Sequence, residues 1–255
     1  MWHAVPRTLV VVPTLGRRLD YLRESLGSIR AAGDARILLV APAAFVADEL
    51  IAEGLADAKS DERRPGLTAA INQGFAEAGD EIEYLAWLGD DDRLHPGALE
   101  DAVEALDRRP RASGAYGACD YIDGEGRQVW RNRSGWWAAP LLRLGPNLVP
   151  QPGSLFRRSA IEEVGPLRED LGWAMDFDLF IRLSKVGRLV YLPRTVADFR
   201  WHADSLTVRA RRESVREASA VRVSHLPAWL RPVSAVWEAP VRWATLRAAG
   251  LVKGR

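Results

Sequence analysis

The sequence predicts an α/β protein: a mainly parallel sheet covered by helices on both faces, followed by a helical tail. Three observations predict it. Short apolar runs read as strands buried on both faces. Segments with helical spacing alternate with those runs, as in βαβ units. A length of 255 residues with 47% hydrophobic content supplies a full core for one large domain and an appendage.

Taken in order, Thr8-Leu9-Val10-Val11-Val12 is the first strand, stopped by Pro13. Leu19, Leu22, Leu26 and Ile29 recur at helical spacing, and Gly33 ends that helix. Ile37-Leu38-Leu39-Val40 is the second strand, and a short helix over Ala47–Ala56 follows. Leu67, Ala70, Ile71, Gly74, Phe75 and Ala78 mark one face of the next helix. Tyr84-Leu85-Ala86-Trp87-Leu88 is the third strand, and Leu99, Val103 and Leu106 mark the helix after Pro96. The second half is less regular. Ala115–Ile122 and Gln128–Trp130 read as a hairpin around Asp123-Gly124-Glu125-Gly126. Residues 131–153 read as loop, Ser159–Val164 as a short helix, Phe177–Val186 as a longer one closed by Gly187, and Leu189–Leu192 as a short strand. From Arg209 the composition shifts to Arg, Ala and Trp, which predicts an appended helical tail.

A net charge of +1 argues against general nucleic-acid binding. Cys119 is the single cysteine, so no internal disulfide and no cysteine-based zinc site is expected. No apolar run approaches the ~20 residues of a membrane-spanning helix. The chain enters a strand within a few residues, which does not read as a secretory signal, and a cytoplasmic protein is expected.

Asp90-Asp91-Asp92 directly follows the third strand. Adjacent carboxylates repel, so a cation or solvent must neutralise them. Mg²⁺ and Mn²⁺ take one or two carboxylates and complete their shell with substrate phosphates and water. In an open α/β sheet, ligands gather at the carboxyl ends of strands, where this cluster and the Pro13-Thr14-Leu15-Gly16-Arg17 loop both fall. The competing reading is a solvated acidic turn.

These segments resemble glycosyltransferase family 2, the inverting sugar transferases of the GT-A fold. VVVPTLGRR is similar to that family's opening segment, and GLTAAINQGFAEA with YLAWLGDDDRLHPGAL to its central block, ending in a DxD-type motif. NLVPQPGSLFRRSAIEEVGPL resembles the entry to the acceptor half, AMDFDLFIRLSKVGRLVYLP the block with the catalytic base, and ADFRWHADSLT the closing Arg-x-His segment. The matches run in order over residues 8–207. The resemblance implies a Rossmann-like three-layer α/β/α sandwich over 1–207, with a nucleotide half of about 1–112 and an acceptor half of about 113–207, and leaves 208–255 as tail. Two departures stand out. Val40-Ala41-Pro42-Ala43-Ala44 replaces the acids that many members carry after the second strand, which puts a UDP donor in doubt. Met175 stands where many members have Glu before the catalytic Asp.

The resemblance implies transfer of a sugar from a nucleotide-diphosphate sugar to an acceptor hydroxyl, with Mn²⁺ or Mg²⁺ and a sugar or lipid-linked acceptor. It assigns Asp91 to the metal, with Asp92 and His202 as further metal contacts; an ordinary surface or hydrogen-bonded core histidine is the alternative for His202. Asp90 and Asp92 would also hold ribose, metal water or loop geometry. It makes Asp176 the general base, against an alternative role as a helix cap. Asp178 takes a structural role. Pro13, Thr14 and Arg17 lie where the nucleotide would dock, with Arg64 and Asn72 as further candidates beside Arg63. Surface charge is the alternative for the arginines, and a structural hydrogen bond is the alternative for Asn72. Gln151 and Trp173, with Trp136 and Trp137, are acceptor-side candidates, since indole faces suit sugar rings, and ordinary core packing is the favoured alternative for any single Trp. His3, His95 and His225 are read as ordinary histidines. Arg209, Arg211, Arg212, Arg216 and Arg222 with Trp229, Trp237 and Trp243 admit peripheral contact with the inner face of a membrane. Packing on the domain or on a second subunit is the favoured alternative. Rival readings are a sugar nucleotidyltransferase, though VVPTLGRR lacks paired glycines, a dinucleotide oxidoreductase, though no G-x-G-x-x-G follows the first strand, and a non-catalytic nucleotide-sugar binder.

Overall fold

The computed structural model describes residues 6–132, 135–142, 144–201, 211–234, 236, 238–241 and 243. In chain order the elements are β1 (Thr8–Pro13), α1 (Leu19–Ala32), β2 (Arg36–Ala41), α2 (Asp48–Ala52), β3 (Ala58–Asp61), α3 (Leu67–Ala76), β4 (Tyr84–Trp87), β5 (Arg93–Leu94), α4 (Ala98–Asp107), β6 (Ala112–Ile122), β7 (Gln128–Arg131), α5 (Ala138–Leu141), β8 (Leu155–Arg157), α6 (Arg158–Val164), α7 (Met175–Val186), β9 (Arg188–Arg200) and α8 (Arg211–His225). The strands form one sheet in the order β3-β2-β1-β4-β8-β6-β9-β5, with β7 paired to β6. β1 runs parallel to β2 and β4, β2 to β3, and β6 to β9. β5, β7 and β8 run antiparallel to their neighbours. The sheet is therefore mixed and mainly parallel, as the sequence predicts.

Alternation along the buried strands builds two cores. Val10, Val12, Ile37 and Leu39 point to one face, with Leu22, Leu26 and Ile29 of α1 and Leu99, Ala102 and Leu106 of α4. Leu9, Val11, Leu38 and Val40 point to the other, with Ala70 and Ile71 of α3 and Phe177, Phe180 and Ile181 of α7. Each fully buried aliphatic or aromatic side chain contributes ~1.5–3 kcal/mol, and both faces need cover, which fixes the three-layer arrangement. Phe156 stacks on Trp87 at 5.5 Å between ring centroids and tilts against Phe180 at 5.7 Å, tying β8 and β4 to α7.

The structure corrects several expectations. The strand expected over Leu189–Leu192 runs through Arg188–Arg200. Pro193, which lacks an N–H, made it read as short. The β6–β9 register instead shifts between Tyr116↔Tyr191 and Ala118↔Thr195, and the ladder resumes beyond the bulge. α2 is confined to Asp48–Ala52. β3, β5 and β8 were not anticipated. The tail helix α8 packs on α7: Val221 joins the second core, and Arg222 is buried in an ion pair with Glu238 at 2.6 Å. Further along, Trp229 and Trp243 are exposed. Among the described residues no helix is long and apolar enough to cross a membrane.

Candidate active site

Because β1, β2, β3 and β4 are parallel, their carboxyl ends and the loops after them share one edge of the sheet. The acid loop leaves β4 there. Asp90 and Asp91 are half-buried and Asp92 is buried. The Thr14 hydroxyl donates to Asp90 Oδ2 at 2.5 Å and accepts the Gly16 N–H at 3.0 Å, joining the β1 loop to the acid loop. Gly16 has φ 68°, and a Cβ there would lie 2.2 Å from the Phe45 ring. Pro13 is buried at the end of β1, and Arg17 is exposed in the same loop.

The other side of the acid loop is held by Arg200, which is 2% exposed. Its backbone N–H donates to Asp92 Oδ1 at 2.9 Å and its Nε to the Asp91 carbonyl at 2.8 Å. The guanidinium also reaches the Gly124 carbonyl at 3.1 Å and Glu24, and lies 4.2 Å from the Tyr21 ring centroid. One buried cation thus fastens the acid loop to α1, to the β6–β7 hairpin and to the end of β9. Burial, then repulsion from Asp91, pushes the Asp92 carboxyl well above the ordinary carboxylate range, against the pull of the Arg200 N–H. Burial also raises Asp90, with the Thr14 hydroxyl pulling the other way.

The donor set fits a hard divalent cation. A Cβ built on Gly89 would lie 2.9 Å from Asp92 Oδ2 and 3.0 Å from Asp91 Oδ1, so both oxygens lie beside the same glycine. Two carboxylates leaving the rest of the shell to phosphate and water is what Mg²⁺ or Mn²⁺ takes in phosphate sites. Among the described residues no group of three or more His, Cys, Asp or Glu converges, and His202 lies outside them. Gly89→Ala tests the arrangement. Asp91 can swing aside but Asp92 is buried and held by the Arg200 N–H, so the melting temperature should fall modestly, while manganese-dependent nucleotide affinity should fall about tenfold by calorimetry. Unchanged affinity would mean that the two oxygens do not act together.

Asp176 is the second residue of α7, and the N-cap residue Ala174 makes no side-chain hydrogen bond. Its Oδ1 accepts the Phe177 N–H at 2.7 Å, and Asn147 Nδ2 donates to its Oδ2 at 3.1 Å. Burial pushes its pKa up to about 6, with the Phe177 and Asn147 donors pulling it down. Asn147 Oδ1 is buried without a hydrogen-bond partner. Burial raises the pKa of Tyr121 of β6, and the charges of Cys119, Asp92 and Asp176 add to the rise. Its ring packs against Trp130, Phe199 and Trp201 at centroid distances of 5.0, 5.3 and 5.9 Å. Asp178, by contrast, is committed to structure. Arg182 donates to its Oδ2 at 2.7 Å and His225 faces its Oδ1 at 2.8 Å. Burial opposes its ionisation, yet these partners hold its pKa below the ordinary value.

Gln151 donates from Nε2 to the Trp87 carbonyl at 2.9 Å, at the end of β4 beside the acid loop. Trp173 is partly exposed just before α7, and Trp136 is 70% exposed. Arg64, in the loop after β3, and Asn72 of α3 both reach the segment before α7. Arg64 makes a two-point ion pair with Glu169 at 2.6 and 2.8 Å. Asn72 clamps the backbone of Leu167, donating to its carbonyl at 2.8 Å and accepting its N–H at 2.9 Å. Its hydrogen bonds therefore run to the loop before α7 and not to the nucleotide loop. Arg63 pairs with Glu77, and His95 with Asp198. Arg200 itself, Tyr121, Asn147 and Glu24 were missed as site candidates. Only Arg200 carried a signal, through the Arg-x-His segment.

The profile of glycosyl transferase family 2 matches residues 9–165. The O-antigen biosynthesis protein RfbC of Myxococcus xanthus is 29% identical over 191 residues, which is 71% of this chain and 14% of that protein's length. An uncharacterized glycosyltransferase of Rickettsia felis is 23% identical over 78% of this chain and 35% of its own length. The chain thus spans well under half the length of either curated relative. Among solved structures, the mannosyltransferase PcManGT from Pyrobaculum calidifontis, in complex with GDP-Man and Mn²⁺, superposes with a TM-score of 0.63 at 18% identity, covering 99% of this chain and 77% of that one. S. aureus TarS 1–349 in complex with UDP superposes with a TM-score of 0.61 at 15% identity, covering 88% and 68%. At these identities the likeness concerns the fold, which is that of the GT-A glycosyltransferases.

Proposed function

The chain belongs to glycosyl transferase family 2, and we propose that this glycosyltransferase inverts the anomeric centre as it moves a sugar from a nucleotide-diphosphate donor to an acceptor hydroxyl. The observation that carries the reading is the placing of an Asp91 and an Asp92 oxygen beside Gly89 at the carboxyl edge of the sheet. In the proposed step the acceptor oxygen bonds to the anomeric carbon as the bond from that carbon to the diphosphate oxygen breaks. The acceptor proton passes to Asp176, and the nucleoside diphosphate leaves as an anion. Asp176 suits the part because a base is most effective when its pKa lies near working pH, and burial raises this one to about 6. Thr14 and Pro13 would meet the nucleoside and Arg17 a phosphate, while Asp90 would keep the two loops joined. Gln151 and Trp173 would line the acceptor side. Mn²⁺ or Mg²⁺ held by Asp91, Asp92 and His202 would neutralise charge on the leaving diphosphate. The relative named for O-antigen biosynthesis favours an acceptor among cell-envelope polysaccharide precursors, handled in the cytoplasm at the inner face of the membrane.

A thermal-shift screen of UDP, GDP and dTDP with and without Mn²⁺ tests the donor side. Nucleotide at about 100 times its Kd adds ~2.7 kcal/mol to native-state stability, a shift of several degrees. The shift should need manganese. Val40-Ala41-Pro42-Ala43-Ala44 offers no carboxylate to a uracil, so UDP should not exceed the other two by more than about threefold, or ~0.7 kcal/mol. A strong UDP preference would mean that the base is read elsewhere on the edge.

A further inference from the structure

Helix α8 lies beyond the segment that the family profile matches, yet two of its side chains reach the loops beside Asp176 and a third reaches α7 itself. Glu217 accepts the backbone N–H groups of Gly172, Trp173 and Ala174 at 2.8, 2.6 and 2.9 Å. These residues lead directly into α7, so one carboxylate satisfies three donors where the helix begins and complements its dipole there. Arg222, 2% exposed, donates to the Gly145 carbonyl at 2.8 Å, two residues before Asn147. It is held for that task by Glu238 at 2.6 and 2.7 Å, and Glu238 also takes the Ser219 hydroxyl. The Arg222 guanidinium lies 5.9 Å from the Phe177 ring centroid, and His225 reaches Asp178. A single helix thus grips the chain on both sides of the Asn147–Asp176 hydrogen bond.

We propose that α8 is a positioning element of the active site, in which Glu217 and Arg222 fix the two loops whose meeting sets the geometry of Asp176. The proposal rests on the reading of Asp176 as the general base. Charge-assisted bonds to backbone N–H groups are stronger than neutral ones, and three on one carboxylate leave the segment before α7 little freedom. A base displaced by about 1 Å loses on the order of a hundredfold in rate, while the nucleotide site, held by Thr14 and Arg200, is untouched.

The test measures Glu217→Gln, Glu217→Ala and Arg222→Met beside Asp176→Asn. Manganese-dependent affinity for UDP and GDP should stay within about twofold of wild type, and kcat for nucleoside diphosphate release from UDP- and GDP-sugars should fall at least about thirtyfold. The carboxyl of Asp176, followed by ¹³C NMR, supplies a second readout: the Asn147 hydrogen bond lowers its pKa, so a midpoint that rises in Arg222→Met reports displacement of the Gly145–Asn147 loop. Among the described residues, Glu217 from α8 and Tyr121 from β6 are titratable groups in electrostatic contact with Asp176, and the Glu217 charge raises its pKa. Glu217→Gln should therefore lower the titration midpoint from about 6, and exchange of the amides at 172–174 should quicken more than tenfold. If Glu217→Ala fails to fold, Glu217→Gln decides by the same readouts. Wild-type kcat with an unmoved Asp176 midpoint in the Glu217 variants would overturn the proposal, and if Asp176→Asn is inactive in the same assay, the base assignment survives that loss. Wild-type turnover of Asp176→Asn would instead remove the base assignment itself.

Discussion

Asp91→Ala should abolish manganese-dependent nucleotide binding while leaving the fold at least as stable. Asp91 shares the space over Gly89 with Asp92, and a two-carboxylate site that loses one loses half its fixed charge toward the cation. A loss of a hundredfold or more in nucleotide affinity is expected, on the order of 3 kcal/mol. Stability should move the other way. The Asp91 charge raises the pKa of both Asp90 and Asp92, so toward these two neighbours it is a source of repulsion. Removing it relieves Asp92, whose carboxylate is buried and held by the Arg200 N–H. A variant that melts no lower than wild type yet binds no nucleotide would mark Asp91 as kept for function. Calorimetry of UDP and GDP with Mn²⁺ decides the matter, and an affinity equal to wild type would remove Asp91 from the metal site. Asp92→Asn is the less informative variant, because it also disturbs the contact that docks β9 on the acid loop.

The legible parts of the sequence were those in which one physical cause dominates a short window. A strand buried on both faces must be apolar throughout, so β1, β2 and β4 stood out, and three acids after β4 are conspicuous because such a cluster is unfavourable. β3 was silent because it is a polar sheet edge, Ala-Lys-Ser-Asp, and β5 and β8 because they are only two and three residues long. The surroundings of Asp176 were silent for another reason. Asn147 meets it across 29 residues, and Glu217 meets Ala174 across 43, from a loop and from an Arg-rich helix. Contacts of that kind depend on how α7 and α8 pack and leave no periodic trace in the chain. Arg64 and Asn72 show the converse. Their residue types invite a phosphate or a sugar, but Glu169 and the Leu167 backbone already engage them.

Asp176→Asn should bind nucleotide normally and transfer no sugar. The amide keeps the volume of the carboxyl and can still accept the Phe177 N–H, so the start of α7 is preserved. What it loses is the capacity to take a proton, and removal of a general base lowers rates by about 10²–10⁴-fold. The wild-type rate should accordingly fall on the acid side of about pH 6, where burial places the Asp176 pKa. The stability consequence has the opposite sign from that of a salt-bridged aspartate. With a folded pKa above the ordinary value of 3.8, the native state binds more protons than the unfolded state between the two values. Stability from this group is therefore present at low pH and is lost as pH rises through about 6. Asp176→Asn carries no charge to bury, so at neutral pH it should melt at or above the wild-type temperature, and the difference should shrink on acidification. Three measurements on one variant then bear on a single carboxyl: nucleotide affinity, turnover, and melting temperature against pH. Wild-type turnover, or a melting difference that grows toward acid pH, would place the base elsewhere.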